Sequence, residues 1–197
     1  MPLTLRIGVF SACLLPFAWL IYAIATNALG PDPAEAVMHV TGEWSLRMLA
    51  LTLLISPLRQ WTGWAPWMKL RRMLGLYAFF YACLHLFSFL QLFIGWTPAR
   101  IWEELVERPY ITAGFAAWLM LLPLALTSTG GMQRRLRRRW LQLHRLVYPT
   151  AVAACLHLLW QARSDIGEAL VYIAIFALLL GWRLRRYQQR RRHSMAA

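Results

Sequence analysis

The sequence predicts an all-α, polytopic membrane protein whose helices form one six-helix transmembrane bundle, with both termini in the cytoplasm. Three observations lead to this prediction: the composition, six apolar runs, and the placement of the basic residues. The chain has 197 residues, of which 59% are hydrophobic and 15% are charged, and such a composition is typical of membrane proteins. In lipid, a single apolar run satisfies its backbone groups only as a helix. We expect residues 1–197 to form one domain.

Six apolar runs follow one another along the chain. About 20 helical residues cross the ~30 Å hydrocarbon layer, and the second run is short enough that it must extend into its flanks. The first run exceeds the ~7–15 apolar residues of a signal peptide, so we interpret it as a span. Residues 97–109 are expected to form a surface amphipathic helix between the third and fourth spans. The predicted spans are roughly 7–25, 44–57, 73–96, 111–127, 146–162 and 168–184.

The charged residues predict the orientation of the spans. Of the 21 lysines and arginines, 17 lie in the two tails and in the loops after the second and fourth spans. All eight acidic residues lie on the opposite side, where Arg163 and Asp165 belong to the last outer loop. The positive-inside rule therefore places both termini in the cytoplasm, which agrees with an even number of spans. Because the basic residues flank apolar spans, they indicate membrane lipid as a partner and not nucleic acid.

Two copies of the pentapeptide Ala-Cys-Leu-His-Leu place one histidine in the third span and one in the fifth. An ionisable side chain at that depth indicates a functional site, since its desolvation must be compensated by a partner. His85 lies 13 residues after Arg72, and His157 lies 12 residues after Arg145. Both histidines are therefore about 18–20 Å from the inner boundary. Two imidazoles at one depth on neighbouring helices are suited to bind one haem iron from both faces.

Other readings of the pair remain open at this point. Two buried histidines that form hydrogen bonds to other helices would fit the same pattern. A zinc site built from Cys83 and His85 is disfavoured, because residues two apart point about 200° apart around a helix.

Further candidate residues lie at the inner ends of the spans. His144 is 13 residues before His157, or about 20 Å lower in a continuous helix. It is a candidate ligand of a second haem or of another inner cofactor, and the alternative is an interfacial histidine within a basic segment. His39, in the first outer loop, is expected to have a surface or packing role. Four arginines of the inner loops are candidates for contacting a flavin phosphate or a haem propionate, namely Arg71, Arg72, Arg134 and Arg135.

Several short motifs are distributed from the first span to the sixth. They are Gly30-Pro31-Asp32-Pro33, His39-Val40-Thr41-Gly42, Arg71-Arg72-Met73-Leu74-Gly75-Leu76, His85-Leu86, Arg108-Pro109-Tyr110-Ile111-Thr112, Leu126-Thr127-Ser128-Thr129, Trp140-Leu141-Gln142-Leu143-His144 and His157-Leu158-Leu159-Trp160. With histidines on spans three and five, the chain resembles the ferric-reductase-like transmembrane domain that is shared with NADPH oxidases. Its motifs more specifically resemble the MsrQ family, also called YedZ.

The resemblance implies a haem b within the spans, with His85 and His157 as axial ligands and His144 as a further ligand. It also implies an associated flavin mononucleotide (FMN). The electrons would cross the bacterial inner membrane to MsrP, a periplasmic molybdenum-dependent reductase that repairs methionine sulfoxide. Their donor would be a cytoplasmic flavin reductase or quinol. Oxidases of the wider superfamily carry two histidines on each of the two spans, whereas this chain has one on span three, so the number of haems stays open.

Three functions are therefore compared. The preferred function is that of an electron-transfer subunit with no evident substrate site of its own. A stand-alone ferric or cupric reductase is the second, and it predicts metal reduction without a partner enzyme. A non-redox helical membrane protein is the third, and it predicts a colourless protein. Short loops and the lack of acidic residues at the membrane midplane count against a transporter.

Overall fold

The computed structural model describes residues 3–162 and 166–196, with the side chains of 190 and 193–196 left aside. Within these ranges the chain is helical and contains no strand, which confirms the all-α prediction. Arg163 and Asp165, which the charge pattern assigns to an outer loop, lie outside the described residues.

Nine α-helices follow one another in the described ranges. They are α1 (Leu3–Ala25), α2 (Pro33–Thr62), α3 (Trp67–Phe89), α4 (Pro98–Glu107), α5 (Pro109–Leu126), α6 (Gly130–Leu136), α7 (Arg138–Leu143), α8 (Val147–Gln161) and α9 (Gly167–Ala196). A π-helical turn at Leu90–Ile94 extends α3, and a 3-10 turn at His144–Leu146 precedes α8. The predicted surface helix is α4, which has no buried residue and ends before the proline that begins α5.

Four helices of the described chain are long and apolar enough to cross a membrane. Their candidate spans are Leu3–Ala25, Trp67–Ile94, Pro109–Leu126 and Gly167–Gln189. Large apolar side chains on them face outwards, among them Trp19 at 52% and Leu178 at 75% exposure, as expected where lipid covers the surface. The second and fifth predicted spans correspond to α2 and α8, which do not meet the same criteria of length and composition. The described part of the chain is therefore helical and contains four candidate spans.

Helix α2 is about twice as long as the span predicted within it. The side chain of Asp32 accepts a hydrogen bond from the backbone N–H of Glu35 at 2.9 Å, and Pro33 occupies the first turn, an arrangement that favours helix initiation. Gly63 ends the helix with a φ of 68°, a left-handed conformation that glycine adopts without strain. The ends of α2 therefore depend on its caps, whereas the apolar run marks only its middle.

The helices pack mainly in two pairs, with α2 along α3 and α5 along α8. Helix α9 contacts both α2 and α8, and α1 contacts α3. The core between them includes Leu53, Tyr81 and Phe176, whose side chains are almost fully buried. Each predicted histidine therefore lies on one member of a packed helix pair, because His85 belongs to α3 and His157 to α8.

Candidate functional site

The structure brings the side chains of His85 and His157 together between the two helix pairs. Their ring centroids lie 6.0 Å apart, and the ring planes are nearly perpendicular at 83°. Both rings are partly buried. Residues on α3 and α8 that are 72 positions apart in sequence thus meet at one place in the fold.

Both histidines are held by main-chain carbonyl groups of the neighbouring helix. Nδ1 of His85 lies 3.0 Å from the carbonyl oxygen of Met38 on α2, and Nδ1 of His157 lies 2.6 Å from that of Tyr110 on α5. A carbonyl oxygen only accepts hydrogen bonds, so Nδ1 of each neutral ring donates the proton. Nε2 of each ring then carries the lone pair, which is the tautomer that binds a metal ion.

Two helix-interior glycines make these contacts possible. Gly42 lies four residues after Met38 on α2, and Gly114 lies four residues after Tyr110 on α5. Since Cβ atoms in a helix tilt towards its N-terminus, a side chain at either position would meet the histidine. A Cβ on Gly42 would stand 3.1 Å from Nδ1 of His85, and one on Gly114 would stand 2.7 Å from Nδ1 of His157.

The two halves of the site have the same local construction. Each histidine donates to a carbonyl 47 residues earlier in the chain. In both halves the glycine follows that carbonyl residue by four positions. The two carbonyl residues, the two glycines and the two histidines are therefore each separated by the same 72 positions. The α2–α3 and α5–α8 pairs thus hold their imidazoles by the same carbonyl contact, and His85 has one further neighbour, the Thr41 hydroxyl at 3.4 Å from its Nδ1.

The residues present fit a haem iron better than a bare metal ion. In the described part of the chain, no group of three or more histidine, cysteine or acidic residues is placed to hold a metal ion. A haem needs only axial ligands from the protein, because its macrocycle supplies the other nitrogens. Two imidazoles that bind one metal from opposite sides, with metal–nitrogen bonds of about 2.0 Å, have ring centres about 6 Å apart. The observed 6.0 Å spacing matches that value.

The cysteines of the two pentapeptides play no part in the arrangement of the rings. Cys83 accepts a hydrogen bond from the indole N–H of Trp118 on α5, with 3.3 Å between Nε1 and Sγ. Cys83 and Cys155 are both free thiols. This placement agrees with the argument from helix geometry against a zinc site.

His144 is separate from the histidine pair. Its ring stacks on that of Trp140 with centroids 3.9 Å apart, and its Nδ1 lies 3.1 Å from the Trp140 carbonyl oxygen. The 3-10 turn and most of α8 separate it from His157, a rise of about 20 Å along the axis. Burial lowers the pKa of His144, and the positive charge of Arg71 lowers it further. Hydrogen bonds to the main-chain groups of Trp140 and Leu124 act in the opposite direction on this pKa and hold the ring in place.

The other predicted residues are distributed over the surface and one cleft. Arg71 lines a cleft between helix ends, whereas Arg72, Arg134 and Arg135 are exposed and do not line it. The structure therefore does not bring the four arginines together. His39 lies on α2 and not in an outer loop as predicted, because α2 already begins at Pro33. Its side chain is exposed, and its Nε2 lies 3.6 Å from a carboxylate oxygen of Glu35.

Four residues of the site were not predicted from the sequence, namely Met38, Gly42, Tyr110 and Gly114. Only the glycines carry a signal, because a glycine inside a helix costs about 1 kcal/mol relative to alanine. Their equal spacing from the two histidines strengthens that signal. The carbonyl groups carry none, since every residue has one.

Comparison with known proteins gives consistent matches. The family described as "Ferric reductase like transmembrane component" matches residues 41–155, which include His85 and end just before His157. Three relatives bear the name "Protein-methionine-sulfoxide reductase heme-binding subunit MsrQ". The one from Xanthomonas axonopodis pv. citri (strain 306) is 50% identical over 89% of this chain and 84% of its own length. That from Xanthomonas campestris pv. campestris (strain 8004) is 50% identical over 96% and 91%. That from Rhodospirillum rubrum is 47% identical over 97% and 92%.

Proposed function

The chain belongs to the ferric-reductase-like transmembrane family and, within it, to the MsrQ subunits, and from this premise we propose that it is a membrane b-type cytochrome subunit. It binds haem between His85 and His157 and serves a protein-methionine-sulfoxide reductase. The single observation that carries this function is the pair of imidazoles 6.0 Å apart, each with Nδ1 bonded to a main-chain carbonyl. A bound haem supplies one-electron chemistry at its iron.

The chain's own residues orient the ligands and set their environment. The carbonyl groups of Met38 and Tyr110 hold the imidazole rings in place and raise the basicity of Nε2. Gly42 and Gly114 allow that approach by leaving the space beside each ring free. The apolar helices around the pair exclude water, which lowers the local dielectric constant and tunes the reduction potential of the site.

The proposed orientation has six spans, with both termini in the cytoplasm of a bacterial inner membrane. The packing of α2 along α3 and of α8 along α5 supports the count, because each shorter or less apolar helix accompanies a candidate span. The distribution of basic residues supports the orientation. The histidine pair then lies in the outer half of the bilayer. The acidic outer segments, α4 among them, form the docking surface for a periplasmic molybdenum-dependent reductase of the MsrP kind.

Electrons enter from the cytoplasmic side in this proposal. A flavin reductase or quinol is the donor, and FMN is the associated inner cofactor. His144 contributes either a ligand to a second haem or a contact to that inner cofactor, because it lies at the basic end of the bundle beside the positive charge of Arg71. Arg71, Arg72, Arg134 and Arg135 provide positive charge for a flavin phosphate or a haem propionate.

Visible spectra of the detergent-purified chain, oxidised and reduced with dithionite, test the proposal. The wild-type protein should show six-coordinate haem b, and His85→Ala and His157→Ala should each abolish that low-spin spectrum. His39→Ala is the matched control, since this exposed histidine lies on the surface of α2.

A pyridine haemochrome assay counts the haems in the same samples. Two haems per chain would assign His144 as a ligand, and one would leave it to flavin binding or to structure. A chain that stays colourless after haem is added contradicts the proposed function. Unchanged spectra in both alanine variants contradict the ligand assignment alone.

A further inference from the structure

A cleft of about 520 Å³ opens at the basic end of the molecule. Residues from four helices line it. They lie near the C-terminal end of α2, near the N-terminal ends of α3 and α8, and just after the apolar stretch of α9. Its lining includes four arginines and three aromatic residues, namely Arg59, Arg71, Arg183, Arg186, Tyr148, Trp182 and Tyr187. The cleft is thus built from parts of the chain that are far apart in sequence.

Among the described residues, the positive charge in the cleft has no carboxylate to balance it, because no aspartate or glutamate of this part of the chain lines the cleft. The ion pairs formed within the described ranges lie elsewhere, at Glu35, Glu43 and Glu104. Nε of Arg183 is buried and has no hydrogen-bond partner among the described residues. Four guanidinium groups that share one cleft repel one another, and a bound anion would offset this repulsion.

Two of the arginines are held in place before any ligand binds. Arg183 donates hydrogen bonds to the Leu53 carbonyl oxygen at 2.6 Å, to the Ser56 hydroxyl at 3.1 Å and to the Tyr148 hydroxyl at 3.2 Å. The guanidinium of Arg186 lies 5.5 Å from the centre of the Trp182 ring. Fixed guanidinium groups lose less conformational freedom on binding, and their geometry matches the oxygen atoms of a phosphate.

The cleft also lies where a membrane surface is expected. Helix α9 carries exposed apolar side chains up to Leu184, and Arg185 begins its basic segment. The aromatic residues Trp182 and Tyr187 line the cleft at this transition, as is typical of the headgroup level of a bilayer. An anion at this level that also carries an apolar tail would contact both the arginines and the apolar surface of α9.

We propose that this cleft binds the phosphate group of an anionic phospholipid, with Arg59, Arg71, Arg183 and Arg186 as its ligands. Basic pockets between transmembrane helices bind lipid headgroups in this way. A soluble phosphate ester carries the same phosphate group, but the exposed apolar side chains of α9 beside the cleft favour a lipid. The site is distinct from the histidine pair, but it shares Arg71 with the contacts proposed for an inner cofactor, so the variants of the test leave Arg71 unchanged.

The test measures phosphatidylglycerol binding to the full-length, detergent-purified and delipidated chain by native mass spectrometry and by thermal stabilisation. Phosphatidylcholine tests the need for anionic charge, and inorganic pyrophosphate tests the soluble source. The variant is Arg59→Gln/Arg186→Gln. Its matched control is Arg138→Gln/Arg185→Gln, which removes the same charge from exposed positions that do not line the cleft. We expect the cleft variant to bind phosphatidylglycerol about tenfold more weakly, and the control to bind it like the wild type.

Equal loss of binding in both double variants would overturn the assignment of the lipid to this cleft, since it would indicate that the overall positive charge of the protein attracts the lipid. Equal binding of phosphatidylglycerol and phosphatidylcholine would overturn it too. A third outcome would also overturn the proposal, namely that pyrophosphate stabilises the wild type but not the cleft variant while phosphatidylglycerol has no effect. The cleft would then bind a soluble phosphate ester and not a phospholipid. Should the double variant fail to fold, Arg59→Gln alone changes one exposed side chain at the rim, and the same comparison applies to it.

Discussion

At the scale of single residues, the contact of each histidine with its carbonyl group depends on a glycine. Gly114→Ala would place a Cβ 2.7 Å from Nδ1 of His157, whereas Gly42→Ala would place one 3.1 Å from Nδ1 of His85. Since a distance below 3.0 Å forces the ring to move, we expect Gly114→Ala to lower the haem content more than Gly42→Ala does. Haem per chain and the reduction potential of the purified protein measure the effect.

Gly8→Ala is the control for these glycine variants, because a Cβ at that position on α1 would meet nothing within 4 Å. The Gly8→Ala variant gains the same helix propensity as the other two glycine-to-alanine variants, roughly 1 kcal/mol, but its new methyl group does not contact the site. A Gly114→Ala protein with wild-type haem content and potential would contradict the role assigned to this glycine.

The four candidate arginines are an example, again at the scale of single residues, of an arrangement that the sequence does not predict. Charge and position marked Arg71, Arg72, Arg134 and Arg135 as equivalent candidates. In the structure Arg71 shares its cleft with arginines of α2 and α9, whereas the other three are exposed. Which basic residues converge depends on how helices pack, and no local pattern records it.

At the scale of the helices, two tyrosines attach α1 to α3. The hydroxyl of Tyr81 donates to the Cys13 carbonyl oxygen at 2.7 Å, and that of Tyr77 donates to the Phe10 carbonyl oxygen at 3.0 Å. Tyr81→Phe removes one of these hydrogen bonds from a fully buried position, at a cost of about 1 kcal/mol. For a chain of this size, the midpoint of thermal unfolding should fall by about 2–4 °C.

The thermal midpoint in detergent measures this effect, and Tyr22→Phe is its control, since Tyr22 is 64% exposed on the same α1 helix. A Tyr81→Phe protein as stable as Tyr22→Phe would show that the hydroxyl does not contribute to the attachment of α1.

At the scale of the whole molecule, the balance of charge predicts how the bundle lies in the membrane. Reporter fusions measure this directly. We expect a green fluorescent protein fused after Ala197 to fluoresce, because the C-terminal basic segment stays in the cytoplasm. Alkaline phosphatase fused within α4 should be active, since this helix carries acidic residues of the outer side.

A phosphatase fusion within the basic α6–α7 segment is the control and should be inactive. With α4 outside and the α6–α7 segment inside, an active phosphatase fused at the C-terminus would mean that only one of α8 and α9 crosses the membrane. Since α9 contains a candidate span and α8 does not, α8 would then be the helix that does not cross.

The sequence by itself determined the helical class and the position of one histidine in each of two helices, because apolar runs and their contents are local properties. It predicted six spans, whereas four helices of the described residues are long and apolar enough to cross a membrane. The full extent of α2 was less evident, since an apolar run marks the part suited to lipid and the caps at Asp32 and Gly63 set the ends. Only the tertiary structure decided that the Met38 and Tyr110 carbonyl groups fix the two imidazoles, and that arginines of three helices share one cleft. The carbonyl contacts join residues 47 positions apart, and the cleft joins arginines of α2 and α3 to those of α9 more than 100 positions later; such residues meet only when the helices have packed.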